Sequence, residues 1–382
     1  MRRGLVGIAA ALVVAMPSLF LAAPASAETV PDMWTVMVYM DGDNNLEAAT
    51  VTDLGEMMVA GSTADVNIVV LVDTLDGPAD LVYVNQGSTT TIAAWGEVNM
   101  GDPATLQSFI SQAAALYPAE NYALDFWNHG GGIMGVCGDD TSGSDKLTMP
   151  ELRSAVVGAG VVMDVIMFDA CDMAQAEIAH QFIGYADYMV FSQETMWGQG
   201  FPYDTILTRL VATPTMTDRD YAIVVGEEFV VFYDALGWNL CTISVYDMSY
   251  LTTVSGAVGT FASGMKATMS TTYKTYKSCR LGAEEAAGAV DLMGFAQLVS
   301  ANTKVSTSVR SAAAAVVSAV GGAIIFEWHS DDCDGMNGLG IWFPVSSVSY
   351  YWSPTMETMY RSMPFDVATH WADFLDSYYA KA

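Results

Sequence analysis

The sequence predicts an α/β fold with a mostly parallel central sheet and helices on both faces. Three observations carry the prediction. Apolar runs of strand length alternate with helical patterns through the first half of the chain. The runs lack polar–apolar alternation, as expected of strands covered on both sides. Their strand–helix–strand order requires parallel neighbours joined by crossovers.

Taken in order, Trp34 to Met40 is a run of β-formers that ends in the turn-prone Asp41 to Asn45. Leu46 to Ala60 reads as a helix and Val66 to Asp73 as a second buried strand. Leu81 to Val84 and Thr89 to Trp95 read as a hairpin insertion. Ala104 to Leu116 has helical periodicity, and Tyr122 to Trp127 is a third strand. Then come a short helix at Glu151 to Gly158, a strand at Asp164 to Asp169, a helix at Ala174 to Ile183 and a strand at Tyr188 to Ser192. A helix at Asp218 to Tyr233 precedes a sixth strand at Leu240 to Tyr246. Beyond it, Ser249 to Ser278 and Ala283 to Val320 read as helical hairpins. Ala323 to Trp328 and Gly340 to Pro344 read as strands, and Trp352 to Tyr379 as a terminal helix. Three segments are expected: a leader over 1–27, a catalytic core over 28–248, and a C-terminal extension of helical hairpins and late strands over 249–382 packed on that core.

The leader follows from a cationic start (Arg2, Arg3), an apolar run from Gly4 to Leu21, and Ala25-Ser26-Ala27 at the small-residue spacing of a cleavage site. Export and a soluble mature chain of roughly 355 residues are the expectation. With 52% hydrophobic residues the chain can bury a large core. Its formal charge of −29 repels nucleic acid and anionic membranes and attracts cationic polypeptides. A monomer is expected. The five cysteines lack any C-x-x-C pair, and their odd number leaves at least one thiol unpaired within the chain. The pairing of Cys137, Cys241, Cys279 and Cys333 stays open.

In open parallel sheets, sites form beyond the carboxyl ends of the strands. That rule singles out Asn128-His129-Gly130 after the third strand and Ala170-Cys171-Asp172 after the fourth. A thiol and an imidazole on neighbouring strand ends suit nucleophilic catalysis: the thiolate attacks, and the imidazole moves the proton. Backbone N–H groups of Gly130 and Cys171 are the candidate oxyanion hole. His180, His329 and His370 have no partner at metal-ligand spacing and read as structural or surface residues; no metal ligand is assigned.

Four segments resemble the clostripain family, grouped with caspases, gingipains, legumains and separases. Trp34 to Asp41 with Asp43-Asn44-Asn45-Leu46-Glu47 is similar to its opening strand and "DN-x-LE" turn. Phe126-Trp127-Asn128-His129-Gly130 resembles its histidine motif. Phe168-Asp169-Ala170-Cys171-Asp172-Met173 with Glu177 resembles its cysteine motif, and Gly338 to Pro344 resembles a late strand. Val290 to Ala296 is similar to a further family segment. The resemblance implies a caspase-like αβα sandwich and cleavage of peptide bonds by a Cys–His dyad, often after Arg or Lys. It also implies substrate-binding roles for Asp169 and Glu194, although Met196 to Phe201 departs from the family's pattern there. Self-cleavage between histidine and cysteine occurs in the family, and Lys146 is the only basic residue in the polar loop from Gly135 to Lys146. Chemistry by this dyad requires no cofactor. Calcium is the one ion to consider, with Asp139-Asp140 and Asp331-Asp332-Cys333-Asp334 as acidic runs without a defining spacing. The rival reading is a secreted caspase-fold binding module without activity; the presence of both His129 and Cys171 argues against it.

Overall fold

The structure, a computed structural model, describes residues 32–345 and 353–382. The expected leader lies outside the described residues. Among those described, no helix is long and apolar enough to cross a membrane.

The first half builds β1 (Asp32–Gly42), α1 (Glu47–Ala60), β2 (Val66–Thr74), β3 (Gly77–Asn85), β4 (Ser88–Gly96), α2 (Pro103–Leu116) and β5 (Ala119–Trp127). A small hairpin of β6 (Val136–Asp139) and β7 (Asp145–Leu147) follows, then α3 (Met149–Ala159), β8 (Met163–Asp169), α4 (Ala176–Ala179) and β9 (Ala186–Phe191). After these come α5 (Tyr203–Ala212), α6 (Asp218–Leu236) and β10 (Thr242–Asp247). The remainder is α7 (Leu251–Leu281), β11 (Glu285–Ala286), β12 (Ala289–Asp291), α8 (Leu292–Ala301), α9 (Thr307–Ala323), β13 (Ile324–His329), β14 (Gly340–Trp342), α10 (Pro354–Ser362), α11 (Pro364–Thr369) and α12 (Trp371–Tyr379).

Nine strands form the main sheet in the order β13-β10-β9-β8-β5-β1-β2-β3-β4. The five central strands, β9 to β2, are parallel; the pairs at each edge are antiparallel. Each central strand is apolar on both sides because each side has its own core. In β1, Met37 and Tyr39 pack with α2, α3 and α7. Trp34, Val36, Val38 and Met40 face the other way and pack with α1, α5 and α6. The sandwich of helices, sheet and helices is therefore written in the unbroken apolar runs.

Local signals fix several helix ends. Asp102 accepts from the Ala104 N–H (2.8 Å) ahead of Pro103 at the start of α2. Thr217 caps α6, which stops at Gly237 in the left-handed conformation (φ 63°). Such a conformation costs a residue with a Cβ more than it costs glycine.

Several expectations need correction. Ser249 to Ser278 is not a helical hairpin but most of one straight run, the 31-residue α7. Its glycines mark close packing, not turns: a Cβ on Gly259 would stand 3.3 Å from the Thr369 backbone, and one on Gly264 would stand 3.1 Å from Val309. Ala283 to Val320 holds the β11–β12 pair before its two helices. The terminal helix is three short ones, broken by Pro364 and by His370 at φ 54°. The helix expected at Ala174 to Ile183 shrinks to one turn of α4 and a turn of 3-10 helix. Helix α5 has no counterpart in the sequence reading, and the hairpin read as an insertion extends the main sheet at its edge.

Residues from 249 onward belong to the same compact unit as the rest of the described chain. Strand β13 joins the main sheet beside β10. Buried Glu177, just after the cysteine loop, accepts from the Trp342 N–H (2.9 Å) and the Tyr360 hydroxyl (2.6 Å), which fastens the C-terminal part behind that loop.

Candidate active site

Strands β5 and β8 pair in parallel with Trp127 opposite Asp169. His129 and Cys171 each stand two residues beyond that pair, so the ladder delivers them to the same level. Asn128 N–H donates to the Asp169 carbonyl (3.3 Å), extending the pairing into the loops. His129 and Cys171 then line one cleft of about 230 Å³, with Asp53, Trp127, Asp169 and Met196 also in its walls.

The loops are held from several directions. The buried Asn128 side chain donates to Asp41 and to the Gly138 carbonyl; its oxygen accepts from Asn44 Nδ2 (3.2 Å) and the His129 N–H. The His129 ring, exposed at the cleft mouth, has Nε2 2.8 Å from Asn45 Oδ1. An amide oxygen only accepts, so Nε2 carries the proton and Nδ1 is the basic nitrogen. Burial of part of the ring holds its pKa below the ordinary histidine value, against a smaller upward pull from Asp140.

Cys171 is half-buried, and its sulfur is within reach of the Met196 N–H (3.3 Å) and carbonyl (3.4 Å). Burial pushes the thiol up; the Met196 N–H and the Gly130 N–H favour the thiolate, while the charges of Asp172 and Asp169 oppose it. Both shifts favour the uncharged forms of the thiol and the imidazole. Glycine at 130 is a steric requirement: a Cβ there would stand 2.2 Å from the Cys171 carbonyl oxygen. Asp172 takes φ 63°, which turns the chain sharply after the sulfur.

The cleft floor is acidic. Asp169 accepts from the Phe201 N–H (2.9 Å) and lies 3.0 Å from the Tyr203 hydroxyl, which also reaches Asp125 at 2.6 Å. Burial, then the neighbouring Asp125 and Asp53 charges, raises Asp169 well above the carboxylate range. Asp53, from the inner face of α1, accepts from Trp127 Nε1 (2.6 Å), and burial raises it to about 7. Gly200 (φ 56°) covers this floor, since a Cβ there would meet Asp169 Oδ2 at 2.3 Å.

The other candidates lie elsewhere. Glu194 is outside the cleft lining, which takes Thr195 and Met196 instead; its carbonyl accepts from the Asp172 N–H (3.1 Å), and the charges of Asp332 and Glu284 act on its carboxylate. Lys146 sits in β7, half-buried, with its stem against Gly135. Cys137 lies in β6 with its side chain buried in the core and is not among the residues lining the cleft. All five cysteines are free thiols, and only Cys171 is not buried. Asp53 and Asn45 are the residues that sequence reasoning missed as site components. An acid at the buried spacing Thr50, Asp53, Met57 was the available signal for the first.

Comparison with known proteins gives the family and the fold. The model of the clostripain family matches residues 38–378. The chain belongs to the clostripain family. It is 31% identical over 244 residues to clostripain of Hathewaya histolytica, covering 51% of this chain and 45% of that protein. The chain thus spans about half the length of the curated clostripain that it matches. Two solved clostripain-type structures share its fold. One is a secreted C11 cysteine protease of Bacteroides thetaiotaomicron in complex with an irreversible peptide inhibitor (22% identity, TM-score 0.70, 89% of this chain and 99% of that one). The other is an inactive zymogen C11 protease of Parabacteroides distasonis (19% identity, TM-score 0.71, 90% and 99%).

Proposed function

We infer that this clostripain-family chain is a cysteine endopeptidase that cuts polypeptides after basic residues. The observation that carries the reading is the shared register of His129 and Cys171 at the mouth of a cleft floored by Asp169 and Asp53.

The substrate's basic side chain enters the cleft and sets its carbonyl carbon against Cys171 Sγ. The sulfur attacks as His129 Nδ1 takes the thiol proton, so no free thiolate has to accumulate against the upward pull on its pKa. The carbonyl oxygen becomes an oxyanion within reach of the Gly130 and Cys171 N–H groups. The Gly130 N–H, which favours the thiolate before attack, serves the oxyanion once the sulfur bonds carbon. Collapse breaks the C–N bond, and the imidazolium protonates the departing amine. Water, losing its proton to His129, then hydrolyses the thioester and returns the thiol. Asn45 keeps the imidazole in the tautomer that this shuttle needs. The leader pattern of residues 1–27 and the strong negative charge support an exported enzyme acting on cationic polypeptides.

A panel of peptides differing only at the residue before the cut tests the reading, with Cys171→Ala as control. Turnover that requires Cys171 and favours Arg or Lys supports it. Equal turnover by the control, or none on any peptide with the folded protein, rejects it.

A further inference from the structure

The segment Met196 to Phe201, where the sequence departs from the family's pattern, places a tryptophan at the rim of the cleft. Trp197 lines the same cavity as His129 and Cys171, yet it is 37% exposed. Single exposed apolar residues are common on protein surfaces, but one this large inside a cleft marks a contact surface.

Its neighbours hold the ring still. The indole N–H donates to the Asn239 carbonyl (3.0 Å). The ring stands edge-on to Trp238 (centroids 5.3 Å apart, planes at 68°), and Trp238 lies against Tyr233 (5.9 Å). The Tyr233 hydroxyl donates to the Gly200 carbonyl (2.9 Å), and the Gly200 N–H donates to the Trp197 carbonyl (2.8 Å), so the loop is closed on itself. The one polar atom of the indole is therefore engaged, and what the ring offers at the rim is apolar surface. A ring fixed in advance loses little freedom on contact, which is why rigid aromatic residues carry a large share of binding energy.

The order of the strands fixes which part of a peptide meets this ring. His129 follows β5, Cys171 follows β8, and Met196 and Trp197 follow β9; in the sheet β8 lies between the other two. The imidazole protonates the departing amine, so the peptide beyond the cut lies on the β5 side. The peptide ahead of the cut then runs towards the loop after β9. Met196 stands level with the bond to be cut, its N–H and carbonyl 3.3 and 3.4 Å from Cys171 Sγ, and Trp197 is the next residue along. Successive side chains of an extended peptide point to opposite sides. As the basic one descends to Asp169 and Asp53, the preceding one stays at the rim. We propose that Trp197 forms a subsite for an apolar side chain, aliphatic or aromatic, on the residue immediately before the basic one. The direction of the peptide rests on the peptidase reading given above.

Binding measured without turnover separates the two. Peptides that differ only at the residue before Arg are titrated calorimetrically into full-length Cys171→Ala protein. Phe or Leu in place of Gly there should lower Kd about tenfold, the scale expected for burying one such side chain against an aromatic ring. In protein that also carries Trp197→Ala the gain should shrink to about twofold or less, whereas Trp197→Phe should keep most of it; melting curves check that each variant is folded. Equal affinity for the Phe, Leu and Gly peptides overturns the proposal, as does measurable binding of none of them. A preference for Lys over Phe at that position also overturns it, because the ring would then be serving a cation. So does a preference for Phe that Trp197→Ala leaves intact. Turnover of the same peptides by the parent protein tests the peptidase reading by itself.

Discussion

Replacing Asp53 by Asn should make the protein more stable and less selective at once. Asp53 is 2% exposed, and its folded pKa of about 7 exceeds the ordinary carboxyl value of 3.8. The folded chain therefore keeps a proton that the unfolded chain has already lost. Stability falls as pH climbs from the unfolded value to the folded one, and the full penalty is present above pH 7. Three pKa units correspond to about 4 kcal/mol. That is an upper bound, because water and neighbouring dipoles relax around a carboxylate once it ionises. Asparagine keeps an oxygen for Trp127 Nε1 and removes the charge. Urea unfolding of Asp53→Asn against the parent should show a gain of about 2–4 kcal/mol at pH 8 that shrinks towards zero near pH 4. The same change removes one of two acids facing a bound Arg or Lys. It should lower kcat/KM for such peptides about tenfold to hundredfold and leave peptides with a neutral residue there little changed. A gain equal at both pH values, or an equal loss of activity on both peptide classes, would refute the assignment of Asp53 to an acidic pocket floor.

Further outcomes follow from the same geometry. Gly130→Ala forces a methyl into the Cys171 backbone and should cut kcat by about 10²-fold or more by displacing an oxyanion donor, measured with a good basic substrate at a temperature below the lowered Tm that the clash also brings. Asn45→Ala frees His129 from its tautomer-fixing contact and should lower kcat about tenfold with little change in KM and a shifted pH profile. Self-cleavage at Lys146 should appear in the parent and not in Cys171→Ala, read as two fragments by mass spectrometry. Its site in β7 means the hairpin has to open first, so the cut should proceed slowly. For peptides with Arg or Lys, 1/KM should rise with pH through about 6–7 as Asp125 and Asp53 ionise, whereas for neutral peptides it should stay flat.

Most of what positions the chemistry could be read in the sequence, for a physical reason. Strands buried on both faces leave long apolar runs, and the residues just past such runs are the ones the sheet presents at its edge; that is how His129 and Cys171 stood out, whereas Asp169 came from the family resemblance. The antiparallel direction of β10, whose strand was legible, and the short β6–β7 hairpin did not show, since pairing direction and three-residue strands leave no periodicity of their own. Asp53 was hidden because a single acid on the inner face of a helix looks like a surface residue until its neighbours are known. In α7, Gly259 and Gly264 let the helix pack closely against Thr369 and Val309. The contacts of Glu177 with Trp342 and Tyr360 bridge separations of 165 and 183 residues along the chain. They explain why the cysteine motif and the late strand belong together.

The central claim is that the Cys171 thiol, alone among five, is presented to a peptide beside a proton-accepting imidazole. Treating the folded protein with an irreversible thiol-directed peptide inhibitor carrying Arg, followed by mapping of the adduct, measures this directly. One adduct per chain at Cys171, lost in His129→Ala while the other thiols stay unmodified, is the result the account predicts. Labelling spread over several cysteines, or labelling of Cys171 that proceeds as fast without His129, would contradict it.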